Sequence, residues 1–344
     1  MGGTPAGVRL SRTDENAAQI DALARAVGGR VALPTLLGDL NRRARRGWAP
    51  GLAVRRALTW DAADRRDLGW WPQGITSSAE AGRSDVPPLL LVSWYSKRQE
   101  GARISVLDLD TRRYRHVLLV QPTLEDGVPG VAPLSVHAGG IVWDGEHLHV
   151  AATGRGFHTC RIDDLLRVPD GSPLAASGYR YLLPVRYSYR AVPEEGADEG
   201  VERLRFSFLS LDRETSPPAL VVGEYGNRSQ TRRLARFAVD PETQTLGVDP
   251  DGFSRPDLAA EALPPRSQGV VVAAGRHYVT TSHGPATPGS VHVGGPGALR
   301  RFRWAAPMGP EDLTWWPETD LLWSVTEHPH KRWIYAMPRT WFDR

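Results

Sequence analysis

Residues 309–337 read GPEDLTWWPETDLLWSVTEHPHKRWIYAM, and this stretch decides the fold. It contains three apolar segments, which begin near Pro310, Leu321 and Trp333. Pro, Gly, Asp and Lys separate the segments, and clusters of this kind mark turns between strands. The stretch therefore predicts three short antiparallel strands joined by tight turns.

The same unit recurs upstream, with its openings between 43 and 67 residues apart. The five openings align at Gly74, Gly140, Ser207, Gly269 and Asp312. Each opening is followed by a second apolar segment with a polar end: LLLVSWYS, HLHVAATG, ALVVGEYG, HYVTTSHG and LLWSVTEH. Sequence repeats of this length indicate an architecture built from repeated supersecondary units.

A unit of three or four antiparallel strands cannot bury both of its faces alone, and radial stacking of such sheets solves that problem. We therefore predict an all-β fold, a β-propeller with five blades, and keep six blades as the alternative. A β-sandwich or a set of unrelated hairpins is the competing interpretation. Because the last unit is short, we expect residues 52–60 to supply its outer strand and close the ring.

The N-terminal part differs from the rest of the chain. Residues 15–27 place Ile20, Leu23 and Val27 at helical spacing, with Asp14 as the candidate cap. A second short helix is expected over residues 36–45. We therefore divide the chain into a tail and helical extension (1–50) and a propeller (51–344).

Bulk composition excludes several classes of protein. The formal net charge is only +3 and no dense Lys/Arg stripe occurs, so we expect no nucleic-acid partner. No apolar run reaches the roughly 18 residues of a membrane span. A single cysteine, Cys160, excludes an intrachain disulfide. The first residues lack the charged and apolar regions of a signal peptide. We expect a monomer that binds a small molecule.

In a propeller, the starts of the first strands and the ends of the second strands lie on one face, because the strands run up and down. Glu311, His137 and Glu224 lie at such positions, and we predict that they are the catalytic acid/base residues. Crowded carboxylates raise one another's pKa, so a nearby imidazole could exchange protons with them near neutral pH.

The other polar ends predict the substrate-binding residues of the same mouth. Trp94 and Tyr95 are expected to stack on the ligand. Some members have a structural alternative, because Gln73 and Gln268 could tie neighbouring blades and Asp312 could accept from backbone amides. The full predicted set is Gln73, Trp94, Tyr95, Tyr225, Gln268, His283, Asp312, Glu327 and His328.

No cofactor is predicted, and no metal ligand is assigned. The alternative of a divalent ion in the central mouth stays open, with His283, His328 and Glu311 as its ligands. The chain contains no Gly-x-Ser-x-Gly elbow, phosphate loop or His-Glu-x-x-His helix that would name a reaction.

Several motifs resemble a group of uncharacterised actinobacterial proteins that are described as secreted. The resemblance spans residues 60–338 and includes WPQGIT from Trp71, LVSWY from Leu91, HAGGI from His137, GEYG from Gly223 and LWSVTEHP from Leu322. It implies export, which the start of this chain does not indicate, so the compartment is left open. The family implies no reaction.

These observations favour a small-molecule enzyme with an acid/base site in the central mouth, such as a hydrolase, lyase or cyclase acting on a sugar or natural product. A non-catalytic ligand- or glycan-binding propeller is the alternative, and a structural exported protein is the third hypothesis. The five mouth segments differ chemically, which favours one asymmetric central site over repeated pockets between blades.

Overall fold

The computed structural model describes residues 8–194, 202–259 and 262–344. Within these ranges the chain is all-β, and its α-helices lie in the N-terminal part. The N-terminal elements are β1 (Val8–Arg12), α1 (Ala17–Val27), α2 (Leu33–Leu37), β2 (Arg42–Arg43), β3 (Arg45–Arg46), β4 (Arg56–Thr59) and α3 (Ala62–Arg66).

The remaining strands follow in five groups. The first group contains β5 (Trp70–Ser77), β6 (Leu89–Ser96), β7 (Ala102–Asp108), β8 (Arg113–Glu125) and β9 (Val128–Pro133). The second group contains β10 (Ile141–Asp144), β11 (His147–Ala151), β12 (Gly156–Arg161), β13 (Leu166–Arg167) and β14 (Tyr181–Pro193). The third group contains β15 (Phe208–Asp212), β16 (Ala219–Gly223), β17 (Leu234–Ala238) and β18 (Asp257–Ala259). The fourth group contains β19 (Ser267–Ala273), β20 (Arg276–Thr281), β21 (Gly289–Gly295) and β22 (Ala298–Ala306). The fifth group contains β23 (Pro310–Trp316), β24 (Leu321–Thr326) and β25 (Trp333–Pro338). Short 3-10 turns cover Ile162–Asp164, Pro317–Thr319 and Arg339–Phe342.

Neighbouring strands within each group pair antiparallel, as the alternation of apolar segments and turns predicts. The first two groups are joined at their outer strands, because β8 and β14 pair in parallel at Leu118 and Leu182. The first strands β5, β10, β15, β19 and β23 contact one another in cyclic order, and β23 returns to β5. Sheets arranged radially around such a ring of inner strands form a β-propeller.

Glycine allows the inner strands to approach closely. A Cβ added to Gly140 would lie 2.1 Å from the backbone nitrogen of Leu209 in the next inner strand. At Gly269, an added Cβ would lie 2.4 Å from the Cα of Asp312. Both glycines belong to the aligned repeat positions, so the repeat marks the contacts between neighbouring inner strands.

The predicted closure of the last group is present. Strand β4 pairs antiparallel with β25, and Leu58 lies opposite Ile334. Trp60 follows this strand and is buried, with its ring 4.8 Å from the ring of Trp94. The N-terminal part therefore completes the last sheet and packs against the first.

Two predictions for the N-terminal part need correction. The first helix begins at Ala17 after Asn16 rather than after Asp14, and it ends at Gly28 with φ +90°. The second helix covers 33–37, because Gly38 follows it and Arg42–Arg43 pairs with β8 instead. Strand β1 was not predicted; it pairs with β14. No helix in the described ranges has the length and apolar character needed to cross a membrane.

Candidate functional site

A cavity of about 440 Å³ opens where the first strands begin and the second strands end. We call it the central cavity. It collects residues from all five groups of strands, as the up-and-down path of the strands requires. The predicted residues that line it are Gln73, His137, Tyr225, Gln268, Glu311 and Glu327.

Glu311 and Glu327 give the central cavity two carboxyl groups of unusual acidity. Glu311 is only 2% exposed, and its burial together with the charges of Glu327 and Asp312 raises its pKa well above the ordinary value. Burial also raises the pKa of Glu327, although Lys97 and Arg332 oppose the shift. Glu311 therefore holds a proton at a pH where an exposed glutamate would be ionised.

Two amide side chains fix these carboxyl groups. The Nε2 atom of Gln268 donates to Oε1 of Glu311 at 3.3 Å, and the Nε2 atom of Gln73 donates to Oε2 of Glu327 at 3.5 Å. Gln73 also donates to the carbonyl of Pro72 at 2.8 Å. Both Gln residues thus connect neighbouring sheets, which was their structural alternative, and both line the cavity.

The cavity wall includes the imidazole of His137, whose ring contacts the phenol ring of Tyr95. The rings of Tyr95 and His137 lie 4.2 Å apart and are tilted by 39°. Desolvation and the charge of Lys97 lower the pKa of His137, so this imidazole is neutral near pH 7. Burial and the nearby carboxylates Glu327 and Glu311 raise the pKa of Tyr95 to about 12. The wall therefore offers a neutral base beside a phenol that keeps its proton.

His328 lies at the rim of this group. Its Nε2 atom is 3.6 Å from Oε1 of Glu327, and its ring meets the ring of Trp71 edge-on at 5.8 Å. Desolvation and the charges of Lys331, Lys97 and Arg332 lower its pKa. His328 is thus close to the cavity through Glu327.

Glu224 does not resemble Glu311, although both follow the predicted pattern. Glu224 is fully buried, and the guanidinium of Arg233 donates to Oε1 at 2.7 Å and to Oε2 at 3.0 Å. Backbone N–H groups of Arg205 and Arg233 also donate to it. Burial opposes ionisation, but these donors outweigh it and lower the pKa of Glu224. This carboxylate is saturated with donors, so it cannot readily carry a proton.

The prediction that Trp94 stacks on the ligand is wrong. Trp94 is completely buried, and its Nε1 atom donates to the hydroxyl of Ser105 at 2.8 Å. Alternate residues of a strand point to opposite faces. Tyr95 therefore lies against His137, a residue of the cavity lining, while Trp94 packs in the core.

His283 also lies elsewhere, in a second cavity beside Arg301. Its Nε2 atom accepts from Arg301 at 2.9 Å, so His283 does not join His328 and Glu311. Among the described residues, no group of three or more His, Cys, Asp and Glu side chains is placed to hold a metal ion. The arrangement of metal ligands considered from the sequence is not formed.

Asp312 and Glu80 are buried and contact residues of the inner strands β5 and β23. Asp312 is buried, with Oδ2 3.4 Å from the backbone nitrogen of Ile75, and Oδ1 has no hydrogen-bond partner among the described residues. Glu80 accepts from Thr76 at 2.5 Å and from Thr314 at 3.1 Å. Burial raises the pKa of Glu80 to about 7 and raises that of Asp312 strongly. Asp312 therefore accepts from a neighbouring backbone amide, which was its structural alternative.

Five further residues, which the sequence pattern did not predict, line the central cavity. These are Gly139, Thr153, Arg205, Ser207 and Gln230. Arg205 and Ser207 begin the third repeat unit, so the alignment of the openings contained the signal. Gln230 lies in a connection between strands, and no pattern in the sequence placed it there.

Comparison with known proteins was made for sequence and for structure. No protein-family model matches the chain, and no curated protein matches it significantly. Similar solved structures include a gluconolactonase from Xanthomonas campestris, at 16% identity and a TM-score of 0.40, covering 87% of this chain and 98% of that one. The β-propeller domain of Cps50 (Swd1) from Myceliophteria thermophila matches at 13% identity and a TM-score of 0.38, covering 78% and 97%.

Proposed function

We propose that this chain is a five-bladed propeller enzyme whose central cavity performs acid/base chemistry on a small polar molecule. The blade number is supported by the five inner strands that contact one another in a ring. In this proposal residues 51–344 form the propeller and the preceding residues extend it. Export and membership of the actinobacterial group remain predictions from the sequence, as does a monomeric state.

The observation that carries the proposed chemistry is the pair Glu311 and Glu327. Both carboxyl groups line one cavity, and both have a raised pKa. Glu311 is the general acid in this proposal, because its burial and acidic neighbours keep it protonated. His137 is the general base, because its imidazole is neutral and exposed.

The remaining lining fits a hydroxyl-rich ligand such as a sugar. Gln73 and Gln268 offer amide groups, and Arg205 and Ser207 add further donors. Tyr225 is 41% exposed, so its ring is available for stacking on a sugar face. Hydrolysis, elimination and cyclisation of such a ligand all need proton transfer at oxygen or carbon, which is what this set of residues supplies.

The test uses Glu311→Gln, which keeps the shape of the side chain and removes its proton. Turnover is first sought on a panel of sugar lactones, glycosides and acidic sugars. We expect Glu311→Gln to lower kcat on the active compound by about 10²- to 10⁴-fold, the usual contribution of a general acid. The melting temperature should be nearly unchanged.

Glu318→Gln is the matched control, because Glu318 is exposed in the 3-10 turn at Pro317–Thr319. Its activity should equal that of the wild type. Full turnover by Glu311→Gln would reject the assignment. Binding of a panel sugar without turnover would favour the alternative, a ligand- or glycan-binding propeller.

A further inference from the structure

The second cavity lies beside the central one and has the opposite electrostatic character. Its volume is about 660 Å³, and it lies between the connection that follows β16 and the ends of β19 and β20. Three arginines and two histidines line it, and among the described residues no Asp or Glu does so. These five side chains are Arg228, Arg266, Arg301, His283 and His292.

These arginines form no ion pairs with the carboxylates of the described residues. Within residues 8–194, 202–259 and 262–344, no Asp or Glu forms an ion pair with Arg228, Arg266 or Arg301. Elsewhere in the molecule arginines are commonly paired, as Arg233 is with Glu224 at 2.7 Å. Three unneutralised guanidinium groups around one concave surface create a local positive potential.

Arg301 is held in place by the side chains behind it. Its Nε atom donates to Oγ of Ser290 at 3.0 Å, and its Nη2 atom donates to Nε2 of His283 at 2.9 Å. Because Nε2 of His283 accepts this hydrogen bond, the neutral imidazole carries its proton on Nδ1, and Nδ1 is available as a donor in addition to the guanidinium. No hydrogen bond from Nη1 of Arg301 is found within the described residues. The guanidinium is thus oriented and keeps a free donor.

The histidines add donors without adding charge at neutral pH. Burial and the charges of Arg301 and Arg266 lower the pKa of His283. Burial, Arg301 and His283 lower the pKa of His292 to about 4. Guanidinium forks match the geometry of tetrahedral oxyanions, and hydroxyl and amide groups such as those of Ser229 and Asn227 complete such sites.

We propose that the second cavity binds a phosphate-type oxyanion, either free or as the phosphoryl group of a small metabolite, through Arg228, Arg266 and Arg301. This inference does not depend on the reaction proposed for the central cavity. The two cavities share a wall, because Gln230 lines the central cavity while Arg228 and Ser229 line the second. The backbone nitrogen of Arg266 donates to the carbonyl of Gly226 at 2.8 Å, which ties this wall to β19.

The test is titration of the whole chain with inorganic phosphate, and separately with glucose 6-phosphate, by calorimetry at low ionic strength. We expect saturable binding of inorganic phosphate, weakened at least about tenfold in Arg301→Gln and partly restored in Arg301→Lys, because the lysine keeps the charge but loses the fork. Arg228→Gln should also weaken binding. Tighter binding of glucose 6-phosphate than of phosphate would identify a phosphorylated metabolite as the source, whereas equal binding would identify the free ion.

Arg303→Gln is the matched control, since Arg303 lies on the same strand β22 and outside the cavity lining. It removes the same charge and should leave phosphate binding unchanged. If Arg303→Gln weakens phosphate binding as much as Arg301→Gln does, the proposal is overturned, because the loss would then follow from the net charge of the protein alone. Absence of saturable phosphate binding to the wild-type chain would overturn it as well.

Discussion

Glu224 and Glu311 are both buried glutamates at the mouth end of the propeller, yet their surroundings differ. Glu224 receives two hydrogen bonds from Arg233 and two from backbone N–H groups. Glu311 receives one long hydrogen bond from Gln268 and has Glu327 and Asp312 as charged neighbours. The first carboxyl has a lowered pKa and the second a raised one.

The difference shows that position in the repeat does not decide chemical role. Both residues occupy mouth positions that the repeat pattern singles out, but only the tertiary partner decides whether the carboxyl stays charged. A buried carboxylate with a bidentate arginine is a structural ion pair. A buried carboxyl beside other acids is a candidate for proton transfer.

The largest effect is expected from Arg233→Met, which leaves Glu224 buried without its cation. Breaking a buried pair by removing one partner costs about 3–5 kcal/mol in the free energy of unfolding. Urea denaturation at pH 7 measures this loss. Glu311→Gln, which removes no ion pair, should change the unfolding free energy by only about 1 kcal/mol or less.

Two variants check the cause of that loss. Arg203→Met removes an exposed arginine and should be nearly neutral. In the double variant Arg233→Met/Glu224→Gln, the buried carboxylate without a cation is removed, and part of the stability should be recovered. Wild-type stability of Arg233→Met would show that the ion pair does not hold the mouth of this blade.

An intermediate effect is expected in the pH dependence of stability. Because the pKa of Glu224 is lowered on folding, its stabilisation is present above pH 4.5, the ordinary value, and is lost as the pH falls toward its folded pKa. The pKa of Glu311 is raised, so the folded state binds more protons than the unfolded state above pH 4.5. Its contribution to stability therefore declines as the pH rises.

Urea unfolding at pH 4, pH 5 and pH 8 separates the two residues. Relative to the wild type, Glu311→Gln should become more stable between pH 5 and pH 8, because the variant lacks the declining contribution. As the pH falls below 4.5, Glu224→Gln should lose less stability than the wild type does. Parallel pH profiles for both variants would contradict the contrast between the two sites.

Much of the fold was accessible from the sequence because its signals are local and repeated. The aligned positions Gly140 and Gly269 mark places where inner strands approach within contact distance, and Asp312 faces Gly269 across such a contact. Strand β1 escaped prediction because the residues 8–12 pair with β14, far away in the sequence. Short edge strands carry little pattern of their own.

The candidate site was accessible only in part. Gln73, Tyr225 and Glu327, which the strand ends place at the mouth, line one cavity, because the direction of the strands fixes their face. The partners of each side chain come from distant segments, so Arg233 beside Glu224 was not visible in the pattern. The burial of Trp94 depends on which face of its strand packs against Trp60, and a strand that is apolar on both faces does not reveal this.

The smallest effect is expected from Glu327→Gln, which tests whether the acids at the mouth interact. Burial is the largest cause of the raised pKa of Glu311, and the charge of Glu327 is the second. Removing that charge should lower the pKa of Glu311 while leaving it above 4.5, because the burial persists. Carbon-13 NMR titration of the glutamate carboxyl groups measures the shift, with the Glu311 signal assigned by its absence in Glu311→Gln. The control Glu318→Gln should leave the pKa of Glu311 unchanged. If Glu327→Gln also leaves the pKa of Glu311 unchanged, the two carboxyl groups of the central cavity act independently.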